Sequence, residues 1–213
     1  VTVESTPQGA PRDVLPTETE IRVIVASIID GLPTADPIEP GSHEQRSELA
    51  RREPRGPIPL ADVAVGADHG GFLLKERIRT ELTDHGFSVH DCGTDSTEPV
   101  DYPDFAHAVA RLVCDGGAKS GIVVDGAGIG SCMVANKVPG VRAATCWDIS
   151  SARNSREHNH ANVLTLGAGL IGESLALQIV QAWLSTPWGG ERHARRVQRI
   201  QEIERRYLER AAV

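Results

Sequence analysis

The sequence predicts an α/β fold: one parallel sheet of five strands with helices on both faces, preceded by an amphipathic helix on a linker. Three observations predict it. From Leu60 onward, short apolar runs alternate with amphipathic stretches, the signature of β–α–β crossovers. Most of the apolar runs stop at glycine-rich or polar turns, as strands do when helices follow them. Upstream, Pro33, Pro37, Pro40, Pro54, Pro57 and Pro59 fall among charges, which is linker composition and not core.

Taken in order, residues 1–16 are rich in Pro, Thr and Gly and are expected to be disordered. Ile21, Ile24, Val25, Ile28, Ile29 and Leu32 then recur at helical spacing and predict a helix over about 18–32. Thr17 or Thr19 suits its cap, Glu18 and Glu20 suit the positive end of its dipole, and Gly31-Leu32-Pro33 ends it. This divides the chain into an extension (1–33), a linker (34–59) and a catalytic-sized domain (60–213). Within that domain the expected strands are Ala61–Gly66, Phe87–Asp91, 121–125, Val141–Trp147 and Val163–Gly167. The expected helices are Gly71–His85, Tyr102–Asp115, 130–137, Ser150–His158, Glu173–Leu184 and a charged final helix over Glu191–Arg210.

The bulk numbers exclude several classes. A chain of 213 residues holds one sizeable domain and an appendage. A net charge of −7 argues against nucleic acid or an acidic membrane surface as partner. No apolar run nears the ~18 residues that cross a bilayer, and the N-terminus lacks the basic and apolar regions of a secretory signal. Cys92, Cys114, Cys132 and Cys146 show neither a C-x-x-C pair nor zinc spacing, so reduced thiols in a cytoplasmic protein are expected.

The informative stretch is GIVVDGAGIGSCMVANKVPG, 121–140. A buried strand ends at Asp125 and opens into a loop with Gly126, Gly128 and Gly130. The glycine spacing fails the dinucleotide fingerprint and lacks the GK[ST] of a P-loop. A carboxylate beside loop amides at a strand's carboxyl end suits proton transfer on a phosphorylated small molecule. Further polar clusters follow other elements: Asp68-His69, Val100-Asp101-Tyr102-Pro103-Asp104, and Arg156 to Asn162. They are expected to share one rim of the sheet with Asp125. Asp68 alone reads equally well as a helix N-cap. Arg192 and Arg196, four apart, lie on one helix face and suit a phosphate clamp.

In their order and spacing, GADHGGFLLKE (66–76), GT…VDYPDFA (93–106), GIVVDGAGIG…VANKVPGVRAA (121–144), SREHNHANVLTLGA (155–168) and ERHARRV (191–197) resemble the type B ribose 5-phosphate isomerase family, which includes the lactose-pathway galactose 6-phosphate isomerase. The resemblance covers about residues 61–205. It implies a Rossmann-like three-layer sandwich, a homodimer or a tetramer with shared active sites, and aldose–ketose isomerisation of a phosphorylated sugar without metal or cofactor. The default pair is ribose 5-phosphate and ribulose 5-phosphate. The alternatives are a tetrose or hexose phosphate, or a relative that binds sugar phosphate without turnover.

The resemblance also implies roles. Asp125 stands where ribose 5-phosphate enzymes carry cysteine, is similar there to the lactose-pathway branch, and is the expected base. The glutamate of an actinobacterial branch would fall at Ser131, and Cys132 is the alternative base. Gly126, Ala127, Gly128, Gly130 and Ser131 are expected to hold the enediolate oxygen. His158 matches the ring-opening histidine; His69, Arg192 and Arg196 match phosphate positions; Asp68 and Asn159 line the sugar. His193 and Tyr102 are expected near the ligand. The extension resembles the encapsulation peptides of bacterial microcompartments, so residues 18–32 are expected to dock on a shell protein, placing the enzyme in the cytoplasm or inside such a compartment. Docking on its own domain is the other reading.

Overall fold

A computed structural model describes residues 61–211; the expected helix over 18–32 and its linker lie outside the described residues. Five parallel strands are present: β1 (Ala61–Ala67), β2 (Val89–Asp91), β3 (Ala118–Asp125), β4 (Ala143–Thr145) and β5 (Val163–Gly167). The helices are α1 (Phe72–Asp84), α2 (Tyr102–Cys114), α3 (Ile129–Ala135), α4 (Ile149–Asn159), α5 (Glu173–Ser185) and α6 (Glu191–Ala211). The strand order is β2-β1-β3-β5-β4. From β1 the chain turns to one side of the sheet, and after β3 it turns to the other. The carboxyl ends of β1 and β3 therefore flank the point where winding reverses, the crevice in which open α/β sheets bind ligands.

Side-chain alternation builds two cores. Val63, Val65, Ala67, Ile122, Val124, Leu164 and Leu166 face α1 and α5, where Ile78, Ile179 and the fully buried Trp183 meet them. Ala64, Val123 and Val163 face the other way, onto Ala106, Val109 and Ala110 of α2 and Ala135 of α3. Both faces are covered, as a parallel sheet requires.

The strands differ from their expected spans for local reasons. β3 begins three residues earlier than the expected 121, despite polar Lys119 and Ser120, because both bond Asp62 on β1: Lys119 Nζ at 2.6 Å and Ser120 Oγ to the carbonyl at 3.1 Å. β2 is shorter because Phe87 closes α1, donating its N–H to Leu82 O at 3.0 Å. β4 is a short edge strand. Its outward groups at Ala143 are taken by one side chain: Asn136 Oδ1 accepts the Ala143 N–H (2.9 Å) and Nδ2 donates to the Ala143 carbonyl (3.0 Å). Beyond β4, Trp147 turns outward and Asp148 caps α4, accepting the Ser151 N–H at 2.7 Å.

Candidate active site

The carboxyl ends of β1, β3 and β5 converge. After β1, Asp68 is buried and its Oδ1 accepts the Gly71 N–H at 2.9 Å. Gly71 must be glycine: a Cβ there would sit 2.1 Å from the Val124 carbonyl oxygen at the end of β3. His69 is exposed, with Nδ1 3.1 Å from both the N–H and the carbonyl of Val100. When Nδ1 accepts that N–H, the ring proton resides on Nε2, free to donate to an anion.

Val100 belongs to the loop after β2, which is tied down at its base. The buried Lys75 of α1 reaches Asp91 (2.6 Å), the Thr94 carbonyl (2.9 Å) and Glu76 (2.9 Å). Arg79 first, then Lys75, hold the Glu76 carboxyl below its usual range. Burial, then Asp91, pushes the Cys92 thiol on this loop up to about 12. The loop delivers Tyr102 to the site, its ring laid on Gly130 so closely that a Cβ there would meet the ring at 2.6 Å.

The glycine loop after β3 folds around its own carboxylate. Asp125 Oδ1 accepts the N–H of Ala127 (2.8 Å) and of Gly128; Oδ2 accepts the N–H (3.1 Å) and the hydroxyl of Ser131. A carboxylate has about four acceptor positions, and all are used inside the loop. Gly128 makes the turn with φ +77°, packed against Leu166 of β5. The β5 end locks the rest: Ala168 N–H donates to Asp125 O (2.8 Å) and Gly169 N–H to Gly126 O (3.0 Å).

Two expectations change. The amides of Ala127, Gly128 and Ser131 are turned onto Asp125, so the loop amides without a partner among the described residues are those of Gly126, Ile129 and Gly130. Ile129 carries no sequence signal for this position, because its backbone and not its side chain faces the site. Cys132, the alternative base, is half-buried and turned toward β4, with Sγ 3.4 Å from Ala143 O and 3.5 Å from Asn136 Nδ2.

A second cluster forms where α4 ends and α6 begins. His158 and His193 stack at 4.3 Å with planes 19° apart. His158 Nδ1 lies 2.9 Å from Asn154 Nδ2 and its Nε2 lies 3.7 Å from Glu157. His193 lies buried beneath it. That burial, then the neighbouring His158, Arg192 and Arg196, lower its pKa from the ordinary histidine value. Arg192, Arg196 and Asn159 are exposed around the stack. Sequence reading missed the support. His160, in the left-handed region (φ 50°), stacks on Trp188 at 4.5 Å, and Arg156 lies 4.7 Å over Trp183. Burial depresses the pKa of Arg142 and of Arg156, and the two arginines also repel each other at Arg156.

This cluster is on the opposite rim from Asp125, which corrects the expectation of one shared rim. α4 runs back from the carboxyl end of β4 to the amino end of β5. Gly121 pairs through its N–H with Asn162 O, whereas Asp125 lies beside Gly167. The five residues of β5 separate the two levels, about 16 Å at ~3.3 Å per residue. A polar cluster before a strand and one after it read alike in sequence but face opposite ways. Among the described residues, no three His, Cys, Asp or Glu side chains gather as metal ligands, and no helix is long and apolar enough to cross a membrane.

The chain is similar to known proteins over this whole unit. The family described as Ribose/Galactose Isomerase matches residues 63–200. Ribose-5-phosphate isomerase B of Escherichia coli is 44% identical over 147 residues, 69% of this chain and 99% of that protein. D-erythrulose-4-phosphate isomerase of Pectobacterium atrosepticum is 42% identical over 143 residues, 66% of this chain and 93% of that one. Among solved structures, Clostridium thermocellum ribose-5-phosphate isomerase B superposes with a TM-score of 0.68 at 49% identity, covering 68% of this chain and 99% of that one.

Proposed function

The chain belongs to the ribose/galactose isomerase family, and from that premise we propose that it interconverts ribose 5-phosphate and ribulose 5-phosphate through a cis-enediolate. The observation that carries the reading is the amide loop at the β1/β3 reversal, with two carboxylates at its edge and free N–H groups at Gly126, Ile129 and Gly130. Those amides suit the oxygen that becomes negative when a carbon-bound proton leaves. Asp125 holds them in place by binding the neighbouring donors.

The remaining roles need a second copy. His158 for ring opening and Arg192 with Arg196 for the phosphate stand on the far rim of the same chain, so the working site is shared, the carboxyl rim of one copy facing the amino rim of its partner. Exposed apolar side chains support such a contact: Leu73, Ile129, Met133, Trp147 and Leu170 ring the carboxyl end, and Ile200, Ile203, Tyr207 and Leu208 line α6. A homodimer is the smallest assembly that provides this. The second substrate reading, a four-carbon sugar phosphate, is favoured by the 42% identity to D-erythrulose-4-phosphate isomerase. Residues 18–32 are proposed to deliver the enzyme to a microcompartment shell protein, tested by co-sedimentation with shell proteins with and without residues 1–33.

Purified protein incubated with tetrose, pentose and hexose phosphates in deuterated water is expected to place deuterium at C2 of ribose 5-phosphate fastest. Faster exchange on a tetrose phosphate would transfer the assignment to the four-carbon sugar. No exchange on any of them would leave a sugar-phosphate-binding protein without turnover.

A further inference from the structure

Resting on the isomerase reading, we propose that Asp68, and not Asp125, carries the proton between C1 and C2. Three observations meet at this side chain. The first is negative: the four acceptor positions of Asp125 are filled by Ala127, Gly128 and both donors of Ser131, so it has no lone pair to offer a substrate. The second is the state of Asp68. The residue is 8% exposed, and only Oδ1 is engaged, by the Gly71 N–H. Oδ2 makes no hydrogen bond among the described residues.

The third is position. Gly70 lies between Asp68 and the glycine loop. A Cβ there would stand 3.4 Å from Asp68 Oδ1 and 3.8 Å from Gly126 N, while a Cβ on Gly126 would meet nothing within 4 Å. The carboxylate and the free Gly126 amide thus border one gap that no side chain fills. The other candidates on this rim are turned elsewhere: Cys132 toward Ala143 and Asn136, and His69 toward Val100, exposed, where it suits an anion.

The step balances without a co-reactant. Asp68 takes the hydrogen from C2 of the open aldose as a proton. The C–H pair becomes the C1–C2 double bond, and the C1 carbonyl pair moves onto O1 beside the loop amides. The O2 proton passes to O1 within the cis-enediolate. The O2 lone pair then forms the C2 carbonyl of the ketose while the double-bond pair takes the proton back from Asp68 at C1.

The test is Asp68→Asn, which keeps the acceptor for Gly71, measured beside Asp68→Glu and wild type. Thermal midpoint within about 2 °C of wild type and ribose 5-phosphate affinity within about threefold are expected, while C2 proton exchange falls about 10³-fold. Asp68→Glu should recover part of that loss. Exchange by Asp68→Asn within tenfold of wild type would overturn the assignment. So would a loss of affinity as large as the loss of exchange, since it would make Asp68 a binding group. Wild-type protein that exchanges no phosphosugar would overturn the isomerase reading itself, and this assignment with it.

Discussion

Asp125 shows how one residue type can serve either chemistry or loop structure, its oxygens here accepting hydrogen bonds from its own loop. A carboxylate at a strand tip before a glycine loop reads as a reactive group, and the sequence places it correctly at the end of β3. Its direction was not legible, because the donors that capture it lie only two, three and six residues ahead, on a turn whose path depends on Gly128 at positive φ. Asp125→Ala leaves three amides and a buried hydroxyl without their acceptor. Unfolding in urea should show a loss of about 3–5 kcal/mol, and turnover should fall with the order of the loop. His193 gives a pH-dependent prediction. Its pKa in the folded chain lies below the unfolded value, so near and below ~6.5 the unfolded chain binds more protons and stability drops as pH falls. The thermal midpoint should therefore decline less steeply from pH 7.5 to 5.5 in His193→Gln than in wild type. Equal slopes would remove His193 from the acid response.

At the scale of elements, periodicity located every strand and helix among the described residues, and the deviations trace to single side chains. Lys119 and Ser120 extend β3 by bonding Asp62, which no apolar pattern encodes. Lys75 lies in an amphipathic helix and reads as a surface lysine, yet it is among the most buried side chains, because Asp91 and the Thr94 carbonyl meet it across α1. Those partners are 16 and 19 residues away, beyond the reach of a helical pattern. Lys75→Met removes the tie between α1 and the loop that carries Val100 to His69. Chemical denaturation should show a loss of about 2 kcal/mol, and KM for the phosphosugar should rise more than kcat falls. A KM that does not move would uncouple this loop from substrate binding.

For the whole molecule, the two rims set the decisive prediction. Asp68→Asn and His158→Ala damage opposite ends of the sheet, so each variant alone should be nearly inactive. If the proposed homodimer forms, mixing the two with subunit exchange makes half of the dimers hybrids with one undamaged site, and activity should recover to about a quarter of wild type. No recovery would mean that the two ends do not serve one site. The motifs of this site were legible one by one; their separation was not, since it follows from the direction in which α4 returns to β5. One feature of the sheet bears on contacts between molecules. By clasping both backbone groups of Ala143, the Asn136 amide acts as a one-residue surrogate neighbour for the outermost strand. A strand arriving from another molecule at the β4 edge would thereby find the Ala143 donor and acceptor already occupied.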